Sequence, residues 1–223
     1  MSMTDQPVAQ QVAAFDEQLE AQAPEEIVSA FRNERVSLDG AGVPKTVPTP
    51  GSPMPDGQLL DVHGASTTLT HARGGRPAVI ITYRGEWCPY CNIWLAAYQE
   101  RLVPRLRELG VELIALSPQN PDGSLTMQQK HDLAFTVLSD PGNQITRQLG
   151  IVNPPRSEDA LAATTAIGLD VAATNADGTD DVAMPTAVVV DADGIIRWID
   201  VHPDYAVRTE PQAILDALRQ VLN

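Results

Sequence analysis

Cysteine is almost missing from this sequence of 223 residues: there are two, and both lie in one tetrapeptide, Cys88-Pro89-Tyr90-Cys91. Two thiols so close together cannot cross-link a secreted scaffold, and a chain of this length needs no such staple. Basic residues are scarce as well. Fifteen Lys and Arg stand against 29 Asp and Glu, a formal net charge of −14, and a field of that sign repels phosphate backbones and anionic membranes. Nucleic-acid and membrane partners are therefore not expected. No apolar run approaches the roughly 20 residues that span a bilayer. The opening residues, MSMTDQPVAQQ, lack a basic stretch followed by an apolar core, so no secretory leader is expected and the chain reads as cytoplasmic. What is present is material for a core: 43% of residues are hydrophobic, which excludes wholesale disorder.

Apolar spacing predicts an acidic helical arm over residues 7–37, restarted at Pro24, with Val8, Val12, Phe15 and Leu19 on one face. The arm reads as a packing element or a dimer contact, so a homodimer is among the expectations. A Pro- and Gly-rich linker follows over 38–57. The division is then an arm with linker (1–44) and a main domain (45–223). In that domain 59–62 and 67–69 read as a hairpin, and 78–83 (AVIITY) as a buried strand. A long helix is predicted from Pro89, with Leu95, Tyr98, Leu102, Leu106 and Leu109 inward, a kink at Pro104 and an end at Gly110.

A second buried strand is predicted over 111–116, a helical stretch over 126–132, a short strand over 135–138 and a helix ending near Gly150. Residues 152–182 break the rhythm with one short helix and an acidic loop, by default a surface excursion, with a lid over the site as the alternative. The turn Asp191-Ala192-Asp193-Gly194 joins two strand-like runs into an antiparallel hairpin. A last helix over 211–222 turns Ile214, Leu215, Leu218 and Leu222 inward. Alternation of strand and helix predicts an α/β layer structure.

Cys88 and Cys91 fall where a buried strand gives way to a helix. Unpaired N–H groups and the helix dipole favour a thiolate there, and the thiolate is the nucleophile. A separation of three in the first turn brings the sulfurs to one face, within reach of a reversible disulfide. Cys88, at the cap, is expected to be more exposed and to attack, with Cys91, a turn inside, resolving. Arg84 is a candidate for positive charge near the thiolate, Trp87 for a wall and Glu86 for a proton carrier. Each has an ordinary alternative, as surface arginine, core tryptophan and solvated carboxylate. A metal-binding module competes for any CxxC pair, but zinc wants four ligands, and His63, His71, His131 and His202 show no ligand spacing. Neither metal nor cofactor is expected.

Residues 82–92 (TYRGEWCPYCN) resemble the active-site loop of the thioredoxin superfamily, and more narrowly of peroxiredoxin-like members of the alkyl hydroperoxide reductase/thiol-specific antioxidant (AhpC/TSA) family. Residues 135–150 (FTVLSDPGNQITRQLG) resemble a peroxiredoxin segment, and Met184-Pro185-Thr186 matches the place of the superfamily's cis-proline. Over about residues 45–222 the resemblance implies a thioredoxin-like α/β fold, a central mixed sheet flanked by helices, with Pro185 cis and Thr186 opening a strand. It implies an antioxidant oxidoreductase that reduces hydroperoxides through a Cys88/Cys91 dithiol–disulfide cycle, recharged by thioredoxin or a similar dithiol. The alternatives are a reductase of protein or small-molecule disulfides, and a redoxin kept for binding only. The family's usual Thr and Arg align with Cys88 and roughly with Pro185, and Cys91 then takes the peroxidatic position. By that alignment the groups that orient a peroxide are missing.

Overall fold

Proline punctuates the first part of the chain in the computed structural model, which describes residues 7–221. Pro7 and Pro24 precede α1 (Val8–Gln22) and α2 (Glu25–Ala41), and Glu25 and Glu26 place negative charge at the positive end of the second helix. The arm thus forms two helices, the second reaching past the predicted end to Gly42, whose φ of 72° stops it. There follow β1 (Gln58–Leu60), β2 (Ser66–Thr68), α3 (Leu69–Arg73), β3 (Ala78–Thr82), α4 (Pro89–Ala97), α5 (Val103–Leu109), β4 (Glu112–Ser117), α6 (Pro121–Lys130) and β5 (Thr136–Ser139). The remainder is α7 (Gln144–Gln148), α8 (Glu158–Ala166), α9 (Val171–Thr174), β6 (Thr186–Val190), β7 (Ile196–Val201) and α10 (Pro211–Val221). Leu222, predicted to point inward, lies outside the described residues.

The strands form one mixed sheet in the order β2-β1-β5-β4-β3-β6-β7, parallel across β3–β4–β5 and antiparallel elsewhere. Helices cover both faces, which is why β3 is buried throughout and apolar up to Thr82. Val79 and Ile81 join Leu113, Ala115 and Val189 in one core, while Ala78 and Ile80 join Ile114, Leu116 and Val188 in the other. This is the thioredoxin-like α/β architecture, with an N-terminal helical extension.

The arm packs on its own chain. Val8 and Val12 enter the core shared with α4, and the first N–H groups of α1 donate to the Glu210 carboxylate at 3.2 and 3.0 Å. The kink foreseen at Pro104 is a π-turn over Tyr98–Leu102 between α4 and α5. Proline offers no N–H to the carbonyl four residues back, and one wide turn absorbs the mismatch. The helical face shifts beyond it, and Leu109, predicted inward, is 47% exposed.

Candidate active site

Thr82 closes β3, and residues 83–88 turn the chain into α4. Pro89 suits the first helical position, where its missing N–H would have had no partner and its φ is preset. Cys88 is the N-cap and Cys91 lies in the first turn. Asn92 fixes this turn, its Nδ2 donating to the carbonyls of Glu86 and Cys88 at 2.7 and 2.8 Å. His131, just past α6, meets Asn92 Oδ1 at 2.8 Å. Both cysteines are free thiols and both are buried, 1% and 0% exposed. The predicted contrast between an open Cys88 and a shielded Cys91 is absent, because other segments cover the helix tip.

The two sulfurs differ in charge. Cys91 Sγ accepts from Arg208 Nη2 at 2.9 Å and from the Arg84 backbone N–H at 3.4 Å. Burial opposes charge on Cys91, but the Cys88 thiol, the Arg208 guanidinium and the backbone N–H groups of Arg84 and Gly85 together outweigh it and hold Cys91 below the ordinary thiol range. Cys88 moves the other way. Burial and its neighbour Cys91 raise it, against the charges of Arg84 and Arg208. The environment therefore favours the thiol form at Cys88 and the thiolate form at Cys91, and the two titrate as a pair.

Arg208 is the functional residue that sequence reading missed. It lies 117 positions from Cys91, between β7 and α10, in a stretch without motif or periodicity. The cysteine helix and its π-turn hold that stretch in place. Trp94 Nε1 donates to the Ala206 carbonyl at 3.2 Å, and the Tyr98 hydroxyl donates to the Thr209 carbonyl at 2.7 Å. Thr209 in turn donates to Asp200 at 2.7 Å, and Arg208 Nη1 to the Tyr205 carbonyl. A guanidinium therefore does face the pair, supplied by a different element from the one the family pattern indicates. The only hint was Trp94 and Tyr98, inward-facing aromatics whose polar tips need acceptors.

A cavity of about 140 Å³ ends on Cys88. Its walls come from the arm (Phe15, Phe31), the cysteine loop (Trp87, Tyr90) and residues 152–182 (Ile167, Leu169). That last stretch is therefore not a mere surface excursion. Arg156 pins it to α2 through a bridge to Glu34 at 2.7 Å, with side chains only 8% and 7% exposed. The Tyr205 hydroxyl also donates to Glu34, at 3.0 Å. The Tyr90 hydroxyl, inside the cysteine motif, donates to Asp16 of α1 at 2.5 Å, and Arg35 ties Asp16 to Asp204 at 2.9 Å each. Arm, insertion and Arg208 segment thus close on the dithiol together.

Of the other predicted residues, Arg84 is buried and stacks on the rings of Tyr205 at 4.0 Å and Trp87 at 5.0 Å. Trp87 can fold over the loop because residue 85 is glycine: a Cβ there would sit 2.4 Å from Trp87 Nε1. Glu86 is held by its backbone, whose N–H donates to Gln119 Oε1 at 2.7 Å. Its side chain lines a separate pocket with His63 and Asp122, and no hydrogen bond joins it to either sulfur among the described residues. The Met184–Pro185 bond is trans, not cis, since the described residues include no cis peptide. The trans form satisfies both polar groups of Met184: its N–H donates to Ile151 at 2.7 Å, and its carbonyl accepts from Thr82 at 2.7 Å and Thr186 at 3.0 Å. Thr186 opens β6 opposite Thr82. Among the described residues no three His, Cys, Asp or Glu side chains gather as a metal site.

The model of the AhpC/TSA family matches residues 50–199. The chain is 31% identical over 101 residues to a chloroplastic peroxiredoxin Q of Gentiana triflora, which covers 45% of this chain and 46% of that protein. It is 30% identical over 108 residues to the thiol-disulfide oxidoreductase ResA of Bacillus thuringiensis subsp. konkukian (strain 97-27), covering 48% and 61%. The chain spans about half the length of the curated relatives it matches. Among solved structures, peroxidoxin BcpB from Mycobacterium tuberculosis superposes with a TM-score of 0.58 at 16% identity, over 77% of this chain and 97% of that one. Reduced Prx3 from Vibrio vulnificus, in complex with hydrogen peroxide, gives 0.61 at 16% identity, over 77% and 99%. At that identity the structural likeness is one of fold.

Proposed function

The chain belongs to the AhpC/TSA family, and from that premise we propose that it is a thiol-dependent antioxidant oxidoreductase reducing hydroperoxides with Cys88 and Cys91. The observation that carries this reading is the contact of the Arg208 guanidinium with Cys91 sulfur at 2.9 Å, which favours a thiolate there, beside a Cys88 that faces a cavity. In the proposed cycle Cys88 sulfur attacks the terminal oxygen of the hydroperoxide while its proton passes to Cys91. The O–O bond breaks, the departing alkoxide takes that proton and leaves as an alcohol (water, from hydrogen peroxide), and Cys88 becomes a sulfenic acid. The Cys91 thiolate then attacks Cys88 sulfur. The disulfide forms, and hydroxide leaves and is protonated to water. Two electrons have moved from the dithiol to the peroxide, and an external dithiol of thioredoxin type restores them by exchange.

Stopped-flow oxidation by hydrogen peroxide tests the activity: a rate orders of magnitude above that of a free thiol is expected, and a rate equal to it sinks the reading. Trapping tests the roles. In Cys91→Ser a sulfenic acid forms on Cys88; equally fast trapping on Cys91 in Cys88→Ser would move the attack to Cys91, as the family alignment has it. Similarity to ResA supports the second reading, the same pair exchanging with disulfides without efficient peroxidase activity. We place either activity in the cytoplasm, a reading supported by composition and by the dependence on an outside dithiol.

A further inference from the structure

The cavity over Cys88 has a feature that the cycle leaves unused. Its wall holds two arginines and, among the described residues, no carboxylate, in a chain with 29 acidic residues. Arg156 is matched by Glu34. Among the described residues Arg84 has no contact ion pair, although Cys88, Glu34 and Cys91 favour its charge through space. It is 5% exposed, its Nε has no hydrogen-bond partner, and no carboxylate among the described residues stands within ion-pair distance of its guanidinium. Its neighbours are the ring faces of Tyr205 and Trp87, which offset part of the cost of burying a cation but offer no acceptor. The sulfurs act on its guanidinium only through space, because Cys91 takes a backbone N–H from Arg84 and a side-chain N–H only from Arg208. The rest of the wall is largely apolar, and about 140 Å³ is close to the volume of engineered cavities that take up benzene.

We propose that Arg84 is a carboxylate subsite, so that this pocket takes a small monocarboxylate with an apolar body about the size of a benzene ring, its reactive members presenting a hydroperoxide to Cys88. The guanidinium fork matches a carboxylate with two parallel N–H donors, the stacked rings fix the plane of the fork, and the apolar wall holds the body. The substrate class rests on the hydroperoxide reading; the binding does not. Titration calorimetry on the reduced full-length protein, with benzoate and with neutral benzyl alcohol, decides it. Benzoate is expected to bind at least about tenfold tighter, since charge-assisted hydrogen bonds discriminate at that level, and to slow alkylation of Cys88 by iodoacetamide. Arg84→Gln removes the preference for benzoate. Leu169→Trp, which fills the pocket and leaves Arg84, weakens both probes. Equal binding of the two probes, binding of neither, or unchanged benzoate affinity in Arg84→Gln overturns the proposal; should Arg84→Gln fail to fold, the wild-type preference and Leu169→Trp still decide. Slow reaction with hydrogen peroxide alongside tight benzoate binding would sink the peroxidase reading and leave the subsite standing.

Discussion

Arg208 stands 2.9 Å from a buried sulfur, and at that range a cation favours the thiolate and lowers the thiol's titration. Arg208→Met keeps much of the bulk and removes the charge. Its thiolate absorbance should titrate nearer the ordinary value of ~8.5, and its reaction with peroxide near neutral pH should slow by about tenfold, following the thiolate fraction. Stability moves in a defined direction too. Cys91 is lowered in the folded state, so its contribution is fully present above the unfolded value and fades as pH falls through the folded one. Removing Arg208 should therefore lower urea stability of the reduced protein more at pH ~8 than at pH ~5; an equal loss at both would show that Arg208 acts through packing alone. Cys88, Cys91, Arg84 and Trp87 were all legible as local sequence around one strand–helix junction. Arg208 was not, because only tertiary packing by Trp94 and Tyr98 brings it there. Pro185 was legible as a special position but not as trans, with the Met184 carbonyl before it taking the hydroxyls of Thr82 and Thr186.

The covering elements have their own test. Glu34 and Arg156 are a buried pair, and removing one partner leaves the other charged in dry surroundings, at a cost of about 3–5 kcal/mol. Arg156→Ala should lose stability on that scale in urea and speed the alkylation of Cys88 by bulky maleimides as α8 lifts from α2. A loss below about 1 kcal/mol would mark the bridge as an ordinary surface pair. Sequence patterns foresaw β3, the start of α4 at Pro89 and the hairpin of β6 and β7, where apolar runs and turn residues agree. They placed the start of α6 too late, at residue 126 rather than Pro121, although Pro and Asp suit a first helical turn. Residues 152–182 were illegible for another reason: what orders them is Arg156 reaching Glu34 across 122 positions.

The whole molecule carries a charge of −14, yet the dithiol is surrounded by arginine. An anionic substrate must cross a repelling field to reach an attracting pocket. Its association should quicken as salt screens the outer field, while that of a neutral hydroperoxide stays flat. Stopped-flow rates for a carboxylate-bearing and a neutral hydroperoxide, over a range of sodium chloride, test this; parallel responses would mean that the net charge has no part in selection.

Two guanidinium groups, Arg208 at the thiolate and Arg84 nearby, also bear on the redox equilibrium. They favour an anionic sulfur, and a disulfide has none. Oxidation strips Arg208 of its counter-charge and removes a nearby anion from Arg84, so the reduced state is the stabilised one and the reduction potential shifts in the oxidising direction. A couple poised that way accepts electrons readily from an ordinary cellular dithiol, and equilibration against a glutathione buffer should find it more oxidising than the same couple in Arg208→Met.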